Sequence, residues 1–205
     1  MPEERSGSHL SVTGDLNPVV GIVLGSDSDR PAMEEATRTL TEFGITPELV
    51  VASAHRSPEL LDRYARAAEA RGIRVLIAAA GGAAHLAGAL AARTVLPVIG
   101  VPLEATGLGG LDSLLSTVQM PPGVPVATVS IGPWGARNAA ILAVQMLATH
   151  DPELRERLRE FKAKMARKIE EAAEGPNQPA VIARPEGPKQ SPASEEIASP
   201  RRGSQ

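Results

Sequence analysis

VLIAAAGGAAHLAGALAA, residues 75–92, is a run of 18 residues without a charge, and the fold turns on how it is read. Its length is close to the ~18 residues at which an apolar stretch starts to count as a membrane span. Alanine and glycine dominate it, however, with Gly81-Gly82 and His85 near its centre. A β-strand over Ile73–Ala80, a glycine turn and a buried helix over Ala83–Arg93 account for these features better. The stretch is therefore read as strand, turn and helix, with no membrane segment.

The same alternation repeats on both sides of it. Upstream, Pro18–Ser26 (PVVGIVLGS) is a short apolar strand; then Met33, Ala36, Leu40 and Phe43 recur at helical spacing, and Gly44 supplies a stop. Glu48–Ser53 is the second strand. Ser57-Pro58 offers an N-cap with proline at the first helical position. Leu60, Leu61, Tyr64, Ala65 and Ala68 form that helix's stripe, and Gly72 ends it. Downstream, Pro97–Val101 and Pro125–Ile131 read as the fourth and fifth strands, with helices over Leu111–Val118 and Gly135–His150. Continuously apolar strands joined by helices predict a parallel sheet covered on both faces. The fold class expected is α/β, a three-layer doubly wound fold with a central parallel sheet of the flavodoxin-like kind.

A last helix starts at Asp151-Pro152, with Leu154, Leu158, Phe161, Met165 and Ile169 as its narrow apolar stripe, and is expected to form a C-terminal helical arm. The helices over Ala83–Arg93 and Ala136–Ala148 are apolar nearly all round, which suggests burial on two sides and contacts between copies of the chain. The expected organisation is a polar N-terminal tail over 1–17, a single α/β domain over 18–172 and a disordered tail rich in Pro, Ser and Glu over 173–205.

Composition removes several function classes. A net charge of −3 and only four aromatic residues (Phe43, Tyr64, Trp134, Phe161) leave no footprint for nucleic acid. The absence of cysteine excludes disulfides, thiolate metal sites and cysteine nucleophiles, and fits a reducing cytoplasm. The first residues contain no apolar core of a signal peptide.

Polar residues gather where strands end. In open parallel sheets ligands bind beyond the carboxyl ends of the strands, and three such ends carry Gly25-Ser26-Asp27-Ser28-Asp29, Ser53-Ala54-His55-Arg56 and Ala80-Gly81-Gly82-Ala83-Ala84-His85. The first has two serine hydroxyls and a helix start that suit one phosphate, and Asp29 suits sugar hydroxyls or a helix cap. Arg56 suits a phosphate or an exposed ion pair. His55 is of the residue type whose ordinary pKa lies near neutrality and so suits proton transfer. His85 is read either as a ligand contact or as a satisfied core histidine. The chain lacks G-x-G-x-x-G, a P-loop, H-E-x-x-H and a G-x-S-x-G elbow, and the two histidines have no third ligand at metal spacing.

Taken together, GSDSD (25–29), SAHR (53–56), AGGAAHLAG (80–88), PVIGVPL (97–103) and GLDSLLSTVQMPPGVPVATVSIG (110–132) closely resemble the class I N5-carboxyaminoimidazole ribonucleotide mutase family of purine synthesis, over about Val20 to Ile169. The resemblance implies a homo-octamer that rearranges N5-carboxyaminoimidazole ribonucleotide to 4-carboxy-5-aminoimidazole ribonucleotide with no metal and no cofactor. It implies His55 as the general acid/base and Ser26, Asp29 and Arg56 as ribonucleotide ligands. The full substrate-binding set expected is Ser26, Ser28, Asp29, Ser53, Arg56, Gly81, Gly82, Ala83, His85 and Leu86, with Ala84 beside them. Arg30 stands where many members carry tryptophan, and Pro133, Trp134 and Arg137 stand where small residues are usual. Three other readings are weighed: a carboxylase using free carbon dioxide on the same architecture, a mononucleotide-binding module without catalysis, and a paralogous enzyme carboxylating another ribonucleotide.

Overall fold

The computed structural model describes residues 18–173; the tails expected over 1–17 and 173–205 lie outside them, apart from Ala173, which ends a helix. Within this span, β1 (Val20–Leu24), α1 (Arg30–Glu42), β2 (Glu48–Val51), α2 (Pro58–Ala68), β3 (Val75–Gly81), α3 (Leu86–Ala91), β4 (Val98–Leu103), α4 (Leu111–Val118), β5 (Ala127–Thr128), α5 (Gly132–Leu147) and α6 (Pro152–Ala173) follow one another. Residues 75–92 hold β3, a turn and α3. Among the described residues no helix is long and apolar enough to cross a membrane.

The five strands are parallel and lie in the order β2-β1-β3-β4-β5, the doubly wound flavodoxin-type arrangement. The chain steps from β1 outward to β2 and then back across to β3. Because such crossovers are right-handed, opposite steps place α1 and α2 on opposite faces. Met33, Ala36 and Leu40 of α1 and Ala136, Ala140 and Val144 of α5 pack on Val20, Ile22, Val75 and Ile77. On the other face Leu61, Tyr64 and Ala65 of α2 and Leu86 and Leu90 of α3 pack on Val23, Leu76 and Ala78. Neighbouring residues of β3 thus point to opposite layers, as a pleated strand requires. With both faces covered, every residue of β1 and β4 is buried, hence their unbroken apolar runs.

Local signals mostly hold, with informative shifts. Ser57 occupies the N-cap position of α2 and Pro58 begins the helix, but the Ser57 hydroxyl turns back, accepting from the Ser53 amide (2.9 Å) and donating to the Ser53 carbonyl (3.2 Å). β5 keeps two of its seven expected residues; it is an edge strand with one neighbour. α5 starts three residues early, at Gly132, with Pro133 in its first turn, where proline's missing N–H costs nothing.

The chain's compact unit runs to Ala163, and Lys164 opens a second unit whose described part is the last turns of α6. Within the first unit Leu158 is buried and Leu154 and Phe161 pack on the core. Phe161 meets Phe43 edge-on at 5.4 Å, and Arg157 Nη1 donates to the Phe43 carbonyl (2.9 Å). Among the described residues, Leu111, Leu115 and Val118 share one exposed side of α4, and Met165 and Ile169 of the α6 stripe are exposed as well; the Ala136–Ala148 part of α5, expected to be apolar nearly all round, shows solvent Arg137 and Asn138.

Candidate active site

The β1/β3 junction is where the winding reverses, and loops on the two sides of the reversal part to leave a crevice at the strands' carboxyl ends. A cavity of about 450 Å³ occupies it, within the roughly 300–1,000 Å³ usual for small-molecule sites. Gly25, Ser26, Ser28 and Asp29 from the end of β1, Ser53, Ala54, His55 and Arg56 from the end of β2, Ala80, Gly81, Ala84, His85 and Leu86 around the end of β3, and Ala105 after β4 line it.

The β1 loop is a single 3₁₀ turn, Asp27–Asp29. Asp29 Oδ2 accepts from the Ser26 amide (3.0 Å), and the Ser28 hydroxyl donates to Ser26 Oγ (2.9 Å). Asp29 is therefore both a helix-start acceptor and a pocket wall, and one carboxylate oxygen remains for other partners. Burial raises its pKa above the ordinary aspartate value, against the opposing effects of the Ser26 amide and the charge of Arg56. Asp27 and Arg30 pair with each other on the exposed side (Nη2–Oδ1 2.9 Å).

A raised folded-state pKa has a consequence for stability. The folded chain holds this proton more tightly than the unfolded chain, so the contribution of Asp29 falls as pH climbs from the ordinary aspartate value through the raised one. Asp29→Asn keeps an oxygen for the Ser26 amide and removes the half-buried charge. Its urea midpoint at about pH 7, well above the ordinary aspartate value, is expected to equal or exceed that of the wild type, with the difference vanishing in acid. A lower midpoint at neutral pH would show that the charge supports the loop.

The β2 loop is tied to its neighbours at both ends. The Arg56 amide donates to Ser53 Oγ (3.2 Å), and Arg56 Nη2 reaches across to the Gly25 carbonyl (3.1 Å), which carries the guanidinium over the β1 loop. His55 Nε2 lies 2.8 Å from His85 Nδ1, the rings nearly perpendicular at 81°. The ends of β1, β2 and β3 are thus stitched side by side.

The β3 loop is shaped by backbone. Gly82 sits at φ 60° and Ala84 at φ 36°, and the Ala84 amide returns to the Gly81 carbonyl (3.2 Å). A left-handed turn is easy for glycine and strained for alanine, so this stretch cannot open α3 at Ala83, and the helix starts at Leu86. Gly81 has no room for a side chain: an added Cβ would overlap Ala105 and lie 3.2 Å from the Leu103 carbonyl. Of the residues expected here, Gly82 and Ala83 do not line the cavity. They form the crest of the turn, with Ala83 exposed. Ala105 was missed, being an alanine with no chemical signal; only the rule that every strand's carboxyl end faces the crevice pointed to it.

The site therefore offers one fixed cation, one half-buried carboxylate, three hydroxyls and two joined imidazoles around a floor of small residues. Comparison with known proteins gives a consistent picture. The AIR carboxylase family model matches residues 19–168. A Pyrococcus horikoshii protein named N5-carboxyaminoimidazole ribonucleotide mutase is 58% identical over 156 residues, spanning 76% of this chain and 87% of its own length. The protein of that name from Thermotoga maritima is 54% identical over 77% of this chain and 91% of its length. The crystal structure of Treponema denticola PurE superposes with a TM-score of 0.72 at 27% identity, covering 78% of this chain and 99% of that one.

Proposed function

This chain belongs to the AIR carboxylase family, and from that premise we propose that it is an isomerase, a 5-(carboxyamino)imidazole ribonucleotide mutase of purine biosynthesis acting in the cytoplasm. The observation that carries the reading is the convergence of Ser26, Ser28, Asp29, His55 and Arg56 on one cavity from separate strand ends. The seryl hydroxyls and the Arg56 guanidinium suit the monophosphate of the substrate, and Asp29 suits its ribose hydroxyls. The same name on relatives 54–58% identical over most of their length favours mutase over carboxylase.

The chemistry asks only for proton transfer and confinement. His55 gives a proton to N5 as the N–carboxylate bond breaks, leaving an amine and carbon dioxide. C4 then attacks the carbon dioxide, the new C–C bond forms, and the C4 proton returns to His55, so that no proton is gained or lost overall. Carbon dioxide must not escape between the steps. Holding it against C4 replaces a dilute encounter with a nearly unimolecular one, and Gly81, Ala84, Leu86 and Ala105 leave a small space free of competing nucleophiles.

The assembly proposed is a homo-octamer. Leu108 and the α4 row Leu111, Leu115 and Val118 are 49–64% exposed, an apolar patch of the kind that another copy covers.

The test is isotopic. Purified protein given the N5-carboxylated ribonucleotide with ¹³C in that carboxylate, in unlabelled bicarbonate, is expected to place the label in the carboxylate bonded to C4 of the product. Turnover confined to the uncarboxylated ribonucleotide plus bicarbonate would make it a carboxylase, and binding without turnover would make it a nucleotide-binding module.

A further inference from the structure

Among the described residues, the one side-chain hydrogen bond between the ends of β2 and β3 joins His55 Nε2 to His85 Nδ1, at 2.8 Å. Both residues line the cavity, and counting protons across this bond gives His85 a specific task. Two imidazole nitrogens at this distance hold one proton between them. When the pair carries three protons, one is in the bridge and the others sit on the outer atoms, His55 Nδ1 and His85 Nε2. If His55 then releases its outer proton, the bridging proton must stay on His55 Nε2, since otherwise the ring would be left as an imidazolate.

We propose that His85 is a positioning residue that holds His55 by Nε2 and thereby makes Nδ1 the atom of His55 that exchanges the proton with the ribonucleotide. His85 does for His55 what a buried acceptor does for a catalytic histidine elsewhere: it fixes ring orientation and selects one tautomer of the conjugate base. The proposal rests on the mutase reading for the substrate and for His55 as the residue that gives up the outer proton, and on the coordinates for the Nε2–Nδ1 bond.

Full-length protein with ¹⁵N-labelled histidine has four rings to resolve, and solid-state ¹⁵N spectra distinguish protonated from bare nitrogens. At alkaline pH the neutral His55 ring is expected to show a protonated, hydrogen-bonded Nε2 and a bare Nδ1, and His85→Leu is expected to turn this into a mixture of tautomers. In the carboxyl-shift assay His85→Leu should lower kcat by about 10²-fold, the low end of what general acid–base catalysis supplies, with little change in KM. His85→Asn, whose amide oxygen stands near the Nδ1 position, should restore most of it. Product affinity should be equal for His55→Asn and for His55→Asn combined with His85→Leu. A bare Nε2 on His55, or a tautomer indifferent to His85→Leu, overturns the proposal. So does weaker product binding in the double variant, because it makes His85 a direct ligand. The expected spectra without turnover by the wild type would refute the mutase reading and leave the tautomer assignment standing.

Discussion

His55→Asn is expected to lower kcat by about 10²–10⁴-fold, the range that a positioned acid/base contributes, while product binding stays close to that of the wild type. Asparagine keeps a polar group near the Nδ1 position, but it stops short of the Nε2 that meets His85, and it can neither deliver a proton to N5 nor collect one from C4. The substitution is mild for the fold: His55 is exposed and its described side-chain partner is His85 alone. The binding elements are anchored independently of it, Arg56 through the Gly25 carbonyl and Asp29 through the Ser26 amide. Single-turnover conversion and calorimetric binding of product, measured on the same preparation, separate the two effects. Appreciable turnover by His55→Asn would move the proton to another group in the cavity, and equal loss of binding would make His55 chiefly a ligand.

The layers were legible because parallel strands buried on both faces leave an unmistakable apolar run, and because α1 and α2 carry their buried residues at regular helical spacing, as at Leu61, Tyr64, Ala65 and Ala68. Positions set by tertiary contact were not. The start of α3 depends on the left-handed backbone at Gly82 and Ala84, which an alanine-rich stretch does not announce. β5 shrinks because pairing to β4 alone supports only Ala127 and Thr128. The site was readable where residues carry their own chemistry, as Asp29, His55 and Arg56 do. The His55–His85 bond was not, because its partners are 30 residues apart and meet only when β1 packs between β2 and β3. Nor was the exposed face of α4 foreseen, since Leu111 and Leu115 have the same pattern as a core-facing pair. Trp134, standing where the resemblance implies a small residue, is 82% exposed, and nothing in the structure explains it.

The largest expected stability effect lies at the other end of the sheet. Glu48 opens β2 with a side chain 2% exposed, and Arg71 Nη1 meets its Oε2 at 2.6 Å. The guanidinium also lies over the Tyr64 ring, 4.9 Å from its centre. Burial, with the Glu48 charge second, pushes the Tyr64 hydroxyl's pKa up, so it stays a neutral neighbour. Arg71 Nη1 makes the one well-formed side-chain hydrogen bond to the carboxylate among the described residues, with the Tyr64 hydroxyl close by and no well-formed partner for Glu48 Oε1; the carboxylate therefore depends chiefly on Arg71. Removing one member of a buried ion pair costs about 3–5 kcal/mol, because the other charge is left unpaired. Arg71 is one-third exposed, and water entering the gap will screen Glu48, so Arg71→Ala is expected near the lower bound, at about 3 kcal/mol in urea unfolding. That is a large share of the roughly 5–15 kcal/mol that holds a domain together. Replacing both partners, Glu48→Leu with Arg71→Met, should recover most of the loss, since an apolar pair of similar volume carries no desolvation penalty. kcat per folded molecule should be unchanged in both variants, as the pair sits at the amino end of β2 and His55 beyond its carboxyl end. If Arg71→Ala unfolds within about 0.5 kcal/mol of the wild type, the range of an ordinary surface substitution, then solvent already reaches Glu48 and the pair is a surface feature; if the double variant is as unstable as the single one, packing and not charge sets the cost.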